Sequence, residues 1–214
     1  MERCFWIVQY SGLCNICGRF YINKRTQDIL SVRRYLVNFL RRKMYFDILH
    51  DDIGDIIFTT SDEGLTGVYL PGQEDFILLD GMVRASNHCI EQAKIEIKEY
   101  LNGNRLHFTV EVDLIGSEFQ IKVWRALRNI PYAQTVSYKD IANALGMRGG
   151  YQAIGRANGK NPLAIIIPCH RVVGINGKLV GYAGGIELKR TLLTLEKNTK
   201  ESRISRTSVQ LVTE

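Results

Sequence analysis

The chain has 214 residues, is 45% hydrophobic and 23% charged, and carries a formal net charge of +6. That length allows one large domain or two small ones, and with no apolar run near the ~20 residues that span a bilayer and no basic–apolar–small leader, membrane insertion and secretion are not expected. Five scattered cysteines, Cys4, Cys14, Cys17, Cys89 and Cys169, argue against a disulfide framework and for a reducing, cytoplasmic compartment.

Residues 1–43 differ from the rest in texture. They hold nine Lys/Arg against two Asp/Glu, and Thr26 to Phe39 can form a basic helix with Ile29, Val32 and Leu36 on one face, Leu40 following. Cys14-Asn15-Ile16-Cys17 has zinc-knuckle spacing, but no second ligand pair is evident, so no metal is expected. Met44 reads as a domain start, which makes 1–43 a basic N-terminal extension, either an accessory arm or upstream read-through. Residues 44–116 reverse the sign, with four basic residues against fourteen acidic. Residues 117–196 reverse it again, with eleven against four, so a bound polyanion would meet this part.

From residue 45 the pattern turns β. Tyr45 to Leu49, Asp55 to Thr60 and Gly64 to Leu70 are short β-rich runs parted by Asp/Gly turns, and Pro71-Gly72 closes them. Ser86 to Leu101 reads as a helix through Ile90, Ala93, Ile97 and Tyr100/Leu101, stopped by Asn102-Gly103-Asn104. Phe108-Thr109-Val110 reads as a further strand.

After Gly116 the chain turns helical. Ser117 and Gln120 have capping-box spacing before a helix carrying Phe119, Val123, Trp124 and Leu127 inward. Pro131-Tyr132 breaks it, Ser137 opens a second helix with Ile141, Ala142 and Leu145 as its stripe, and Gly146 ends that one. A third helix runs from Tyr151 to Asn158, so the pair has the helix-turn-helix outline. Ala153, Gly155, Ala157 and Gly159 leave this helix nearly bare, which suggests a close approach by another backbone. If that backbone is nucleic acid, Arg148, Arg156 and Lys160 at its edges supply phosphate contacts.

The run Ile165-Ile166-Ile167-Pro168-Cys169-His170-Arg171-Val172-Val173 carries the chemistry. Its apolar, β-branched start reads as a buried strand, and Pro168 should end the pairing, leaving Cys169 at a strand end or turn. Most cysteines beside apolar runs are inert core. Here a histidine stands next to it, and a thiolate with a base at hand is the minimum apparatus for covalent catalysis.

Together with Asn161-Pro162 before this run and Gly181-Tyr182-Ala183-Gly184-Gly185 after it, the sequence resembles the O6-alkylguanine-DNA alkyltransferases (methylated-DNA–protein-cysteine methyltransferases). The resemblance covers roughly Met44 to Glu196 and is densest from Phe119. It implies an α/β ribonuclease-H-like N-terminal domain at 44–115. A mostly α helix-turn-helix (winged-helix-like) DNA-binding and alkyltransferase domain at 116–197 follows, with a disordered tail at 198–214. It implies stoichiometric repair, in which Cys169 takes the alkyl group from O6-alkylguanine, with O4-alkylthymine a further candidate, after the base is flipped from the duplex. The partner is alkylated double-stranded DNA met in the minor groove, the protein a monomer without cofactor, placed in the cytoplasm or in a eukaryotic nucleus.

The resemblance also implies roles. His170 would deprotonate Cys169 through a water, Glu196 would orient His170, Asn161 would hold the turn, and Tyr138 would donate to the guanine ring. Tyr182, Ala183 and Gly184 would line the base pocket. Gln152, Ala153, Gly155, Arg156, Arg148 and Lys160 would meet DNA. One departure stands out: many members insert an arginine into the stack where this chain has Gln152, so Gln152 is expected to fill the gap while Arg156 anchors phosphate. Two other readings compete. One is a DNA-binding regulator or lesion sensor on the same helices; the other, a cysteine hydrolase, is disfavoured because no oxyanion-hole motif is apparent.

Overall fold

In a computed structural model, the structure describes residues 43–73 and 82–210, with side chains through residue 205. The Cys14–Cys17 pair and the basic stretch at 26–39 lie outside the described residues. An N-terminal sheet region is followed by a helical C-terminal part.

Strands β1 (Tyr45–Asp51), β2 (Gly54–Thr60) and β3 (Leu65–Tyr69) pair antiparallel in sequence, and the short β4 (Val83–Arg84) lies parallel to β1, giving the order β3-β2-β1-β4. The β1–β2 register, Tyr45 on Thr60 through Asp51 on Gly54, is closed by a two-residue turn. Gly54 sits there at φ +107°, where Pro71 would also collide with any Cβ.

Helix α1 (His88–Leu101) begins at Asn87, whose side chain accepts from the Ile90 amide and also donates to Thr60 on β2 at 3.0 Å. Its buried face is Ile90, Ala93, Glu96, Ile97 and Tyr100. The expected strand at 108–110 does not form. The backbone amides of Thr109 and Val110 instead donate to the buried Glu96 carboxylate, at 2.9 and 3.3 Å. A side chain therefore takes the donors that a neighbouring strand would have used. Only a single bridge, Leu65 with Val112, follows.

Helix α2 (Glu118–Arg128) starts on the expected capping box, with the Ser117 amide donating to the Gln120 side-chain oxygen Oε1 at 2.9 Å. Val123, Trp124 and Leu127 are buried, and the Trp124 indole donates to the Ala157 carbonyl at 2.8 Å. Helix α3 (Tyr138–Ala144) is capped by Ser137 and Asp140 in the same way, and the Gly-rich turn leads to α4 (Tyr151–Gly159). Beyond the turn carrying the cysteine comes the final helix, α5 (Gly185–Gln210).

Two further expectations are overturned. Residues 165–167 are buried but are not a strand: Ile165 has φ +69°, Ile167 donates to the Leu163 carbonyl at 2.8 Å, and the segment is a tight turn. Asn161 explains it, since its amide donates to Ile167 O at 2.8 Å and its carbonyl accepts from Leu163 N at 3.1 Å. A side chain spanning the turn replaces the ladder, and a β-branched residue in the left-handed region stores roughly 1–3 kcal/mol of strain. The tail from 198, expected to be disordered, is helical through Gln210. Arg203 fastens it by donating to the Gly103 and Asn104 carbonyls, at 3.2 and 3.1 Å, beyond the end of α1.

Candidate active site and nucleic-acid interface

Cys169 opens a single 3-10 turn, Cys169–Arg171, that leads into β6 (Val172–Val173). Parallel pairing of β6 with β5 (Val136–Ser137) draws the start of α3, and with it Tyr138, to the cysteine turn. Cys169 is 6% exposed, and the Asn161 amide donates to Sγ at 3.1 Å. Burial pushes the Cys169 thiol up, against the Asn161 hydrogen bond, the Lys189 charge and the backbone amides of Cys169 and His170, which pull it down. The group therefore rests as a thiol, with these contacts offsetting only part of the cost that burial puts on the thiolate.

His170 is fully buried, with Nε2 2.9 Å from Glu196 Oε1, while Nδ1 has no hydrogen-bond partner among the described residues. A ring whose Nε2 carries its proton toward a carboxylate presents Nδ1 as a bare acceptor, and that tautomer follows from the bonding pattern. Burial pushes His170 below the usual imidazole range despite Glu196, so the ring is neutral at rest. Burial would raise the Glu196 carboxyl, but the hydrogen bonds from His170 and Arg171 outweigh it and hold it at about 2.

Glu196 is held from several elements. Arg171 donates from Nε to both carboxylate oxygens at 3.1 Å and from Nη2 to Oε1 at 2.8 Å, and its Nη1 donates to Ile130 O at 2.7 Å. The Ala133 amide donates to Oε2 at 3.0 Å, and the Tyr100 hydroxyl donates to Oε1 at 2.8 Å. Nearby, the buried Lys189 ammonium donates to the carbonyls of Val172 and Val180, at 2.6 and 2.9 Å. These contacts were not legible in the sequence. Tyr100 read as one more apolar residue of a helical stripe, Arg171 as part of the Cys-His string, and Lys189 carried no signal.

The other expected residues divide into two groups. Tyr138 is half-buried; burial and then the neighbouring Cys169 raise its hydroxyl above the usual phenol range. The Tyr182 hydroxyl is enclosed without a partner among the described residues, in a turn closed by Gly185 N to Tyr182 O at 3.0 Å. Ala183 is exposed, and Gly184 packs so closely on Leu188 that a Cβ would meet it at 2.7 Å. On the second group, Arg148, Gln152, Arg156 and Lys160 are exposed, with Ala153 and Gly155 half-buried between them.

The small residues of α4 do not form one bare surface. Spacing by two turns a helix by about 200°, so Ala157 points inward and is buried while Gly159 faces open space. No backbone approaches Gly155 either; a Cβ there would lie 3.8 Å from the Tyr138 ring. Among the described residues no cluster of His, Cys, Asp and Glu could hold a metal ion, and no helix is long and apolar enough to cross a membrane.

Cys169 stands next in the chain to a buried histidine–carboxylate pair, beside two short helices with an exposed basic face, the arrangement expected of a covalent-transfer site next to a nucleic-acid-binding surface. Known proteins agree with that class. Residues 118–198 match the model of the 6-O-methylguanine DNA methyltransferase, DNA binding domain family. The chain is 40% identical over 156 residues to the methylated-DNA–protein-cysteine methyltransferase of Methanosarcina barkeri, covering 72% of this chain and 98% of that one. It is 53% identical over 114 residues to the Mycolicibacterium paratuberculosis protein of the same name, covering 53% and 67%. The crystal structure of Mycobacterium tuberculosis OGT in complex with DNA superposes with a TM-score of 0.67 at 39% identity, over 72% of this chain and 94% of that one. The chain belongs to the methylated-DNA–protein-cysteine methyltransferase family.

Proposed function

We propose that this protein repairs DNA by direct reversal, with Cys169 as the acceptor of the alkyl group. The cysteine proton passes to His170 through a water. Sγ then attacks the alkyl carbon on guanine O6 in an in-line displacement. The S–C bond forms as the C–O6 bond breaks, and a hydrogen bond from Tyr138 to the ring offsets the charge left on the departing guanine. The displaced guanine anion then takes up a proton, balancing the one Cys169 gave to His170, and the products are guanine and a thioether. Nothing in the site can reverse that bond, so each chain acts once. The observation that carries this reading is the Asn161 amide on Sγ beside a His170 ring whose Nε2 is held by Glu196 and whose Nδ1 is bare.

In this reading Tyr182, Ala183 and Gly184 line the pocket for the flipped base. Gln152, Ala153, Gly155, Arg156, Arg148 and Lys160 contact the duplex from the minor groove. Residues 44–115 form a ribonuclease-H-like domain. Residues 116–197 form the winged-helix-like one, a reading supported by the tight α3–α4 turn and the β5–β6 pair beside it. A monomer without cofactor, working wherever the cell keeps its DNA, suffices.

The test is stoichiometry. Duplex DNA carrying radiolabelled O6-methylguanine should pass one label per chain to the wild type and none to Cys169→Ser. Label released to solvent, or turnover beyond one, would point to a hydrolase. Lesion binding without transfer would point to a sensor.

A further inference from the structure

The side chains given roles in repair all lie after residue 116, yet one side chain of the sheet region reaches into the site. Tyr100, on the inner face of α1, is fully buried with its hydroxyl 2.8 Å from Glu196 Oε1 and 3.3 Å from His170 Nε2. Its ring is wedged between Phe108 at 5.6 Å and Tyr132 at 6.1 Å, centroid to centroid, so the hydroxyl has a fixed position. We propose that Tyr100 is a positioning residue for alkyl transfer, donating to Glu196 so that the carboxylate holds His170 as the neutral Nε2–H tautomer with Nδ1 bare. The proposal rests on the repair reading.

The physical reason is competition for one carboxylate. Each donor that Glu196 accepts lowers its basicity and weakens its hold on the imidazole proton. Burial raises the Tyr100 hydroxyl well above the usual phenol range, so it stays protonated and donates. The groups facing His170 are Glu196 and Lys189 from α5, Arg171 and Cys169 from its own turn, and Tyr100 from α1; Tyr132 stands behind, under the Arg171 guanidinium at 5.4 Å. With the hydroxyl gone, Arg171 and Ala133 still neutralise Glu196 in part, but Oε1 loses a donor and draws harder on His170 Nε2–H. The imidazolium is then favoured, and a base that must start neutral loses activity on the acid side.

Tyr100→Phe keeps the ring packing and removes only the hydroxyl. Transfer from free O6-benzylguanine to Cys169, followed against pH, should keep its alkaline plateau while the acid limb moves up by about half a pH unit or more. A loss equal at every pH, or no loss, would overturn the proposal. The 15N shifts of the His170 ring give a second reading. On the acid limb they should report neutral Nε2–H with bare Nδ1 in the wild type and a larger imidazolium fraction in Tyr100→Phe at the same pH. Unchanged shifts would also overturn it. If the wild type takes no benzyl group, the repair reading has failed, and the ring shifts still judge Tyr100 alone.

Discussion

Glu196 ties the chemistry of the site to its stability. Its carboxyl is near 4.5 in the unfolded chain and about 2 in the fold, so its contribution is full above 4.5 and is lost as pH falls toward 2. That difference corresponds to about 3 kcal/mol at most. His170 adds to the same acid limb: its folded value lies below 6.5, so below that pH the unfolded chain takes a proton that the fold refuses. Chemical denaturation across pH should show stability falling from pH 6.5 downward, and Glu196→Gln should remove the steep part between 4.5 and 2. The same substitution leaves Arg171 buried without its counter-charge and should cost about 3–5 kcal/mol at neutral pH. Asn161→Ala tests the other half of the site. It strips Sγ of its donor and leaves Leu163 N and Ile167 O without their side-chain partner. The expected outcome is a loss of about 2–3 kcal/mol and a higher thiol pKa, read as slower iodoacetamide labelling of Cys169 at a fixed pH.

Among the elements, helices were more legible than strands, for a physical reason. The Ser117–Gln120 box is a local signal, complete within four residues, and forms as the sequence reads; Ser137 opens its helix as expected, and Asp140 completes a second box there that the reading did not name. The run at 165–167 carries the composition of a buried strand, but its geometry is set by Asn161 several residues earlier, a contact that apolar patterning does not encode. The 108–110 segment failed likewise, because Glu96 intercepts its amides from another element. Helix α4 has the sharpest element-level prediction. Gln152 is exposed, next to exposed Arg156 one turn on, which fits a side chain that fills a vacated base stack. Gln152→Ala should slow repair of duplex by about tenfold or more while leaving reaction with free O6-benzylguanine unchanged, since the free base needs no flipping. Equal losses on both substrates would remove Gln152 from that role. Helix α5 holds its end by Arg203 on the carbonyls beyond α1, and Arg203→Ala should lower Tm with alkyl transfer intact.

For the molecule as a whole, the charge division and the apolar core say different things. The charges separate an acidic middle from basic flanks, whereas one continuous core takes Ile56, Phe58, Ile90 and Ile97 from the sheet region with Val123, Trp124, Ile154 and Leu192 from the helical part. Tyr100 and Glu196, which are 96 residues apart, meet inside that core. Such a contact cannot be read from local pattern, which is why Cys169, His170, Asn161 and Glu196 were legible through family resemblance and Tyr100 and Arg171 were not. If the basic first 43 residues are an arm on DNA, they act on affinity rather than chemistry. A chain beginning at Met44 should bind duplex more weakly, with a shallower slope of log affinity against log salt, if they clamp phosphate. The most direct measurement is the mass of the Cys169 peptide after incubation with O6-methylguanine duplex. Alkyl transfer predicts a gain of one methylene on Cys169, in step with the guanine restored. An unmodified Cys169 peptide from protein that has repaired the duplex, or a methylene on another residue, would contradict it.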